Sequence, residues 1–391
     1  VKQNMVFKLV LILALMTSSV MPFSGYIVFF ILFSFLLFRG GLNKLFYLLK
    51  EDKFILFFLI YILFLLIKSN YKIDSLIGSM VVYISIFIYF SIRKYVNSIN
   101  DTIDIFKYFV ISNIIISIYG IIQFYFISDA YFASSWVDSN IYSINMRAYS
   151  SLINPNVLGG YLVFCICLQL KSLENIRSRK VNIISLILSS LCLILTYSRG
   201  AWITLLVVVF LMYFHRKRIV YIFYSLVFFV AITIINGSSG LERISLNNAL
   251  NDHSFHYRID IYKSVLEIIR QNFLFGTGLN TMKHYISNYS QVIEAPVDHA
   301  HNIILNIIGE TGFVGLVFFS IFFISLIKDI FLMYKFQDEI YQDISISSFL
   351  AFFSIIIHGM VDAPIVAPQF LFFVIIIYSF VKNIKYYDIL K

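Results

Sequence analysis

Apolar runs of about 15 to 25 residues recur from one end of this 391-residue chain to the other, FILFFLIYILFLLI at 54–67 being typical. No water-soluble fold buries that many such runs, whereas a hydrocarbon core demands them: a helix needs about 20 apolar residues to cross it. Charged residues make up 13% of the chain, against about 25% in soluble domains. The sequence therefore predicts an all-α polytopic membrane protein.

About twelve transmembrane helices are predicted, at 6–20, 25–38, 53–68, 75–92, 103–127, 155–171, 181–197, 201–215, 219–236, 302–327, 343–361 and 365–382. Several are nearer 15 residues than 20, which implies tilt or thin packing. Residues 1–391 form a single integral membrane domain. The N-terminal run follows Lys2 and Lys8 as in a signal peptide. No small-residue cleavage site follows it, so it is expected to stay as a first span. Cys165, Cys167 and Cys192 all lie in apolar runs and read as small buried side chains, with neither disulfide nor metal chemistry.

The net charge of +9 does not call for nucleic acid. Its basic residues cluster at alternate loops: Arg39/Lys44/Lys49/Lys53, Arg93/Lys94, Arg177/Arg179/Lys180, Arg216/Lys217/Arg218, Lys328/Lys335 and Lys382/Lys385. That is the positive-inside pattern, and it places both termini in the cytoplasm. Two outward segments are long, 128–154 and 237–301. Within the second, YRIDIYKSVLEIIRQ (257–271) sets polar positions 260, 263, 264, 267, 270 and 271 against apolar 261, 262, 265, 266, 268 and 269. This amphipathic helix is expected to lie on the membrane surface or to roof the bundle. Arg258 projects from its apolar side, so its guanidinium must find a partner beneath or snorkel to water.

Histidine usage is lopsided. His253, His256, His284, His299 and His301 fall outside, with Asp298, and only His215 falls inside. Arg147, Arg199 and Arg258 are outside as well. Arg199, in the short turn TYSRGAW, either snorkels or receives a phosphate, which a planar guanidinium suits. His301 opens the last long span, in DHAHNIILNIIGETGFVG (298–315). Gly312 and Gly315, with Gly309, are expected to let a neighbouring helix approach closely. Glu310, roughly 13 Å deeper along the helix, requires a partner that the sequence does not name. The pairs 299/301 and 253/256 have the residue types of a zinc site. No H-E-x-x-H occurs, which argues against a zincin-type protease.

These residues resemble the O-antigen ligase and polymerase family. The resemblance rests on His301-Asn302 followed after nine residues by Gly312-x-x-Gly315, and on SRGAW at 198–202. It rests also on Arg258 ahead of FGTGLN (275–280), and on INPNVLGGYL at 153–162. Where the family commonly has proline, near 272, this chain has Asn272. The resemblance implies an enzyme that moves a glycan from an undecaprenyl-diphosphate-linked donor to a glycan or lipid acceptor. It would act at the outer face of the bacterial cytoplasmic membrane, among membrane lipid, with no cofactor. It further implies His301 as catalytic base, with Arg199, Arg258 and Arg147 on the diphosphate. Asp298, His299 and Asn302 would support the site or meet the acceptor. Two other readings stay open: a transporter or flippase of lipid-linked sugars, and a metal-dependent membrane hydrolase.

Overall fold

The computed structural model describes residues 2–38, 52–96, 98–127, 146–174, 179–245, 253–289, 297–336 and 338–389. Among them the secondary structure is helical throughout. In chain order the helices are α1 (Lys2–Ser18), α2 (Ser24–Phe38), α3 (Lys53–Lys68), α4 (Lys72–Tyr95), α5 (Ile99–Phe126), α6 (Pro155–Gln169) and α7 (Lys180–Leu195). They continue as α8 (Arg199–Arg216), α9 (Ile219–Ile244), α10 (His253–Gln271), α11 (Ile303–Tyr334), α12 (Glu339–Gly359) and α13 (Pro368–Ile389). Every apolar run predicted above is helical. Among the described residues seven helices are long and apolar enough to cross a membrane, with shorter apolar helices at Asn4–Ser18, Lys180–Leu195 and Pro368–Ile384. Large apolar side chains such as Ile219, Phe223 and Ile234 face outward from them, as lipid-facing surfaces must.

The centre is α6. All seven residues from Tyr161 to Cys167 are inaccessible, as befits a helix apolar on every face. Asn154 caps it by accepting from the amides of Asn156 and Val157, with Pro155 in the first turn, the arrangement both residue types favour. Around it pack α7, α8 and α12. The packing is tight where the glycines lie. A Cβ on Gly159 would sit 2.9 Å from Ala201, and one on Gly160 would sit 2.8 Å from Pro364. The three cysteines are buried and free.

Helix α12 joins two polar ends. At its start Asp343 takes Arg216 at 2.6 Å and Lys171 at 3.1 Å, with Glu174 2.9 Å from Lys171. At its end the chain turns through Met360, Val361 and Asp362. The basic loop residues Lys171, Arg179 and Arg216 thus converge on one end of the bundle. The titratable cluster described next gathers at the other. Of the two long outward segments, 128–145, 246–252 and 290–296 fall outside the described residues.

The spacing of Gly309, Gly312 and Gly315 predicts a smooth surface for a neighbouring helix. The structure corrects this. Gly312 has φ 65° and ψ −174° and breaks α11. Its neighbour is the loop 273–278, not a helix. The break frees carbonyls and amides, and each finds a partner: Thr277 N donates to Gly309 O at 3.0 Å, and Gly278 N to Glu310 O at 2.9 Å. Tyr61 Oη donates to Thr311 O at 2.5 Å. Phe313 N and Val314 N donate to the carbonyls of Phe273 and Leu274. Broken backbone at membrane depth is tolerated only when re-satisfied in this way. A Cβ on Gly276 or Gly312 would lie 2.4 or 2.3 Å from the opposing backbone, so both positions exclude any side chain. The backbone carbonyl of Asn272 accepts the amide of Gly276 at 2.8 Å and so closes the same loop.

Candidate functional site

The site is built around Asp362, in the turn after α12. Its Oδ1 lies 3.1 Å from Nε2 of His299 and 3.2 Å from Nδ1 of His301, and accepts the amide of Ala363 at 2.7 Å. Its Oδ2 lies 3.6 Å from Nη2 of Arg258. Arg258 also donates through Nη1 to Val361 O at 2.8 Å. The partner required beneath α10 is therefore this acidic corner.

His301 is held from three sides. Its backbone is left-handed, with φ 49°, a conformation that needs support in any residue bearing a Cβ. Tyr262 of α10 supplies it by donating to His301 O at 3.0 Å. Asn302 caps α11, accepting from Ile304 N and Leu305 N, and donates to Met360 O at 3.0 Å. Ala300 N donates to Asn306 Oδ1 at 3.0 Å. The imidazole is thereby aimed at Asp362 through Nδ1, which leaves Nε2 for another partner.

The electrostatics follow from that packing. Burial disfavours the cationic form of His301 and lowers its pKa, the Asp362 carboxylate opposing this in part. Burial alone would raise Asp362. The neighbouring His301, His299 and Arg258 outweigh it and hold the carboxyl well below the usual range. An ionised, oriented carboxylate behind a neutral imidazole is the arrangement that activates a base.

Arg199 opens α8 immediately after Ser198. A Cβ on the next residue, Gly200, would lie 2.7 Å from Val361, whose carbonyl Arg258 bonds. The SRGAW turn and the acidic corner are thus in contact. Arg147 lies deeper. It is 4% exposed, donating from Nε to Thr196 O at 2.7 Å and from Nη2 to Asn156 Oδ1 at 2.9 Å. Its position braces the base of the turn that carries Arg199.

Helix α10 roofs this assembly. Ile261, Val265 and Ile268 are fully buried against Met282, Ile286, Val297 and Ala300. Leu266, on the predicted apolar face, is 55% exposed. Glu310 also finds its partners here: the backbone amides of Asn280 and Met282 reach its buried carboxylate.

Sequence reasoning groups His301, His299, Asn302, Arg199 and Arg258, and the structure places His301, His299, Asn302 and Arg258 around one corner, with the turn that carries Arg199 packed beside it. Asp298 is exposed, and no described contact ties it to the cluster. Asn302 turns its side chain to capping, not outward. Sequence reasoning misses Asp362 and Tyr262 as members of the site. The signal for Asp362 is faint: one acid between apolar spans, in VDAP. His256, half of the second histidine pair, is exposed. Among the described residues the group with metal-ligating chemistry is instead His299, His301 and Asp362.

Residues 184–320 match the family model described as O-antigen ligase. Through that segment the chain is similar to the O-antigen ligase family. The match runs from α7 to mid-α11 and takes in Arg199, Arg258, the 273–278 loop, His301 and Gly312. Arg147, the capped start of α6 and Asp362 lie outside it. No curated protein matches the chain.

Proposed function

We propose that the protein transfers a glycan from a polyprenyl-diphosphate donor, undecaprenyl diphosphate in bacteria, to an acceptor hydroxyl on a lipid or growing polysaccharide. The observation that supports this is Arg258 at the corner where Asp362 meets His301, with the turn that carries Arg199 packed against Val361 beside it. This corner lies where a long apolar helix begins, which is where a lipid-linked sugar must react.

The mechanism follows from the groups present. Nε2 of His301 takes the proton from the acceptor hydroxyl as its oxygen attacks the anomeric carbon. The new carbon–oxygen bond forms as the bond to the diphosphate breaks, and polyprenyl diphosphate leaves with the electron pair. Direct attack inverts the anomeric centre. Arg199 and Arg258 stabilise the charge growing on the leaving diphosphate, which then needs no divalent cation. Asp362 stabilises the imidazolium formed on His301. Arg147 acts through Thr196 by fixing the Arg199 turn. The basic end faces the cytoplasm and the histidine corner faces outward.

The test uses purified protein, a polyprenyl-diphosphate-linked glycan and an acceptor, with chelator present. Extended or attached glycan together with free polyprenyl diphosphate, in equal amounts, is the expected result. Turnover that vanishes in chelator, or glycan released to water alone, would favour a metal-dependent hydrolase and sink this mechanism.

A further inference from the structure

The corner that orients the base also has the donor geometry of a transition-metal site. His299 and His301 flank the buried Ala300, and their rings lie 4.4 Å apart between centroids. Nε2 of one and Nδ1 of the other point at the same atom, Asp362 Oδ1, from 3.1 and 3.2 Å. The three donor atoms all lie within 4.8 Å of one another. Two imidazoles and one carboxylate oxygen form a three-ligand set that zinc uses with a fourth position open. Bonds of about 2.0–2.1 Å imply a tetrahedral edge of about 3.3–3.4 Å, so two of the three edges are already within a few tenths of an ångström. The histidine side chains are 20% and 21% exposed, enough for an arriving ion to reach them. Arg258 pairs with the other carboxylate oxygen, Oδ2, at 3.6 Å, while Oδ1, which also accepts the Ala363 amide, is the oxygen that both imidazoles face.

We propose that His299, His301 and Asp362 form a binding site for zinc-class divalent cations, and that occupancy switches transfer off. The inhibitory half rests on the reading of His301 as the base. Without the ion, Nδ1–H of His301 donates to Asp362 and Nε2 keeps its lone pair. With the ion, Nδ1 gives its lone pair to the metal and the ring proton moves to Nε2. No proton is gained or lost by the ring, but the nitrogen facing the acceptor hydroxyl becomes a donor. A base in the wrong tautomer cannot take a proton. The ion also competes with Arg258 for the charge of Asp362.

The experiment titrates Co2+ into the full-length, chelator-stripped protein in detergent, followed by Zn2+ competition. One equivalent is expected to give the intense visible absorption of tetrahedral cobalt and to be displaced by Zn2+. His299→Ala and Asp362→Asn should each weaken binding at least tenfold. His301→Gln provides a third variant, and monodisperse elution identifies those that fold. His284→Ala is the control, because His284 pairs with Asp74 at 2.7 Å beside Lys283 and belongs to no metal-ligating group among the described residues. It should bind as the wild type does. An absent or octahedral cobalt spectrum, or wild-type affinity in His299→Ala, overturns the site. In the transfer assay, saturating Zn2+ should lower the rate at least tenfold, and chelator should restore it. An unchanged rate at saturation overturns the inhibitory role. The cobalt spectrum reads binding directly, so it decides the metal site even for a chain that transfers no glycan.

Discussion

At the scale of single residues, the chemistry depends on which nitrogen of His301 is engaged. Asp362 fixes Nδ1 at 3.2 Å, so removing the carboxylate's charge should release the ring without removing it. Asp362→Asn is expected to lower kcat by about a hundredfold or more, the range that positioned acid–base groups contribute, with a smaller effect on KM. His301→Ala should abolish transfer in a protein that still purifies as a monodisperse species. Normal turnover in either variant would remove that residue from the mechanism. Arg199→Lys tests the planar fork against a point charge. Its transfer rate should fall by about a hundredfold, as when one transition-state donor is lost. Retained activity would remove Arg199 from the mechanism.

At the scale of elements, the site depends on a helix that is broken. Helix α11 carries His301 at its head, and nine residues into it the backbone opens at Gly312 to pair with the loop 273–278. That loop directly follows α10, which carries Arg258 and Tyr262. The pairing therefore fixes the distance between the arginine and the histidine. At Gly312 a methyl group would meet the Leu274 backbone at 2.3 Å, in a conformation that strains any side chain. Gly312→Ala should therefore lower the thermal transition of the purified protein clearly and reduce transfer with it. A variant as stable and active as the wild type would show that the break is incidental. The sequence marks Gly312 but suggests a helix as its neighbour, where the structure has a loop. Small residues on an apolar helix read alike whether they admit a helix or a loop, and only the opposing backbone distinguishes the two.

At the scale of the whole molecule, α12 separates two polar ends that differ in kind. One holds Lys171, Arg179, Arg216, Glu174 and Asp343 in an ion network. The other holds the histidines. If the basic end is cytoplasmic, opposite ends must label from opposite sides. The native cysteines are buried, so introduced thiols read cleanly. Asp298→Cys should react with an impermeant maleimide in intact cells, and Glu339→Cys only after permeabilisation. The reverse pattern would turn the molecule over and detach the site from an outward-facing donor.

The sequence by itself determined the class of fold, because apolar runs of bilayer length have no other stable environment. It also determined the helix positions, and it marked the arginines and histidines at the ends of spans as candidate site residues. It foretold that Arg258 needed a partner. Tertiary structure alone decided what that partner is. Asp362 lies 61 residues beyond His301 in the chain, and no periodicity or spacing links the two until α11 and α12 pack side by side. The same holds for Arg147, whose bonds to Thr196 and Asn156 make it a brace, and for Glu310, which is satisfied by the amides of a distant loop. Local pattern reports what a residue can do, whereas the partner that decides which of those things it does is supplied by packing.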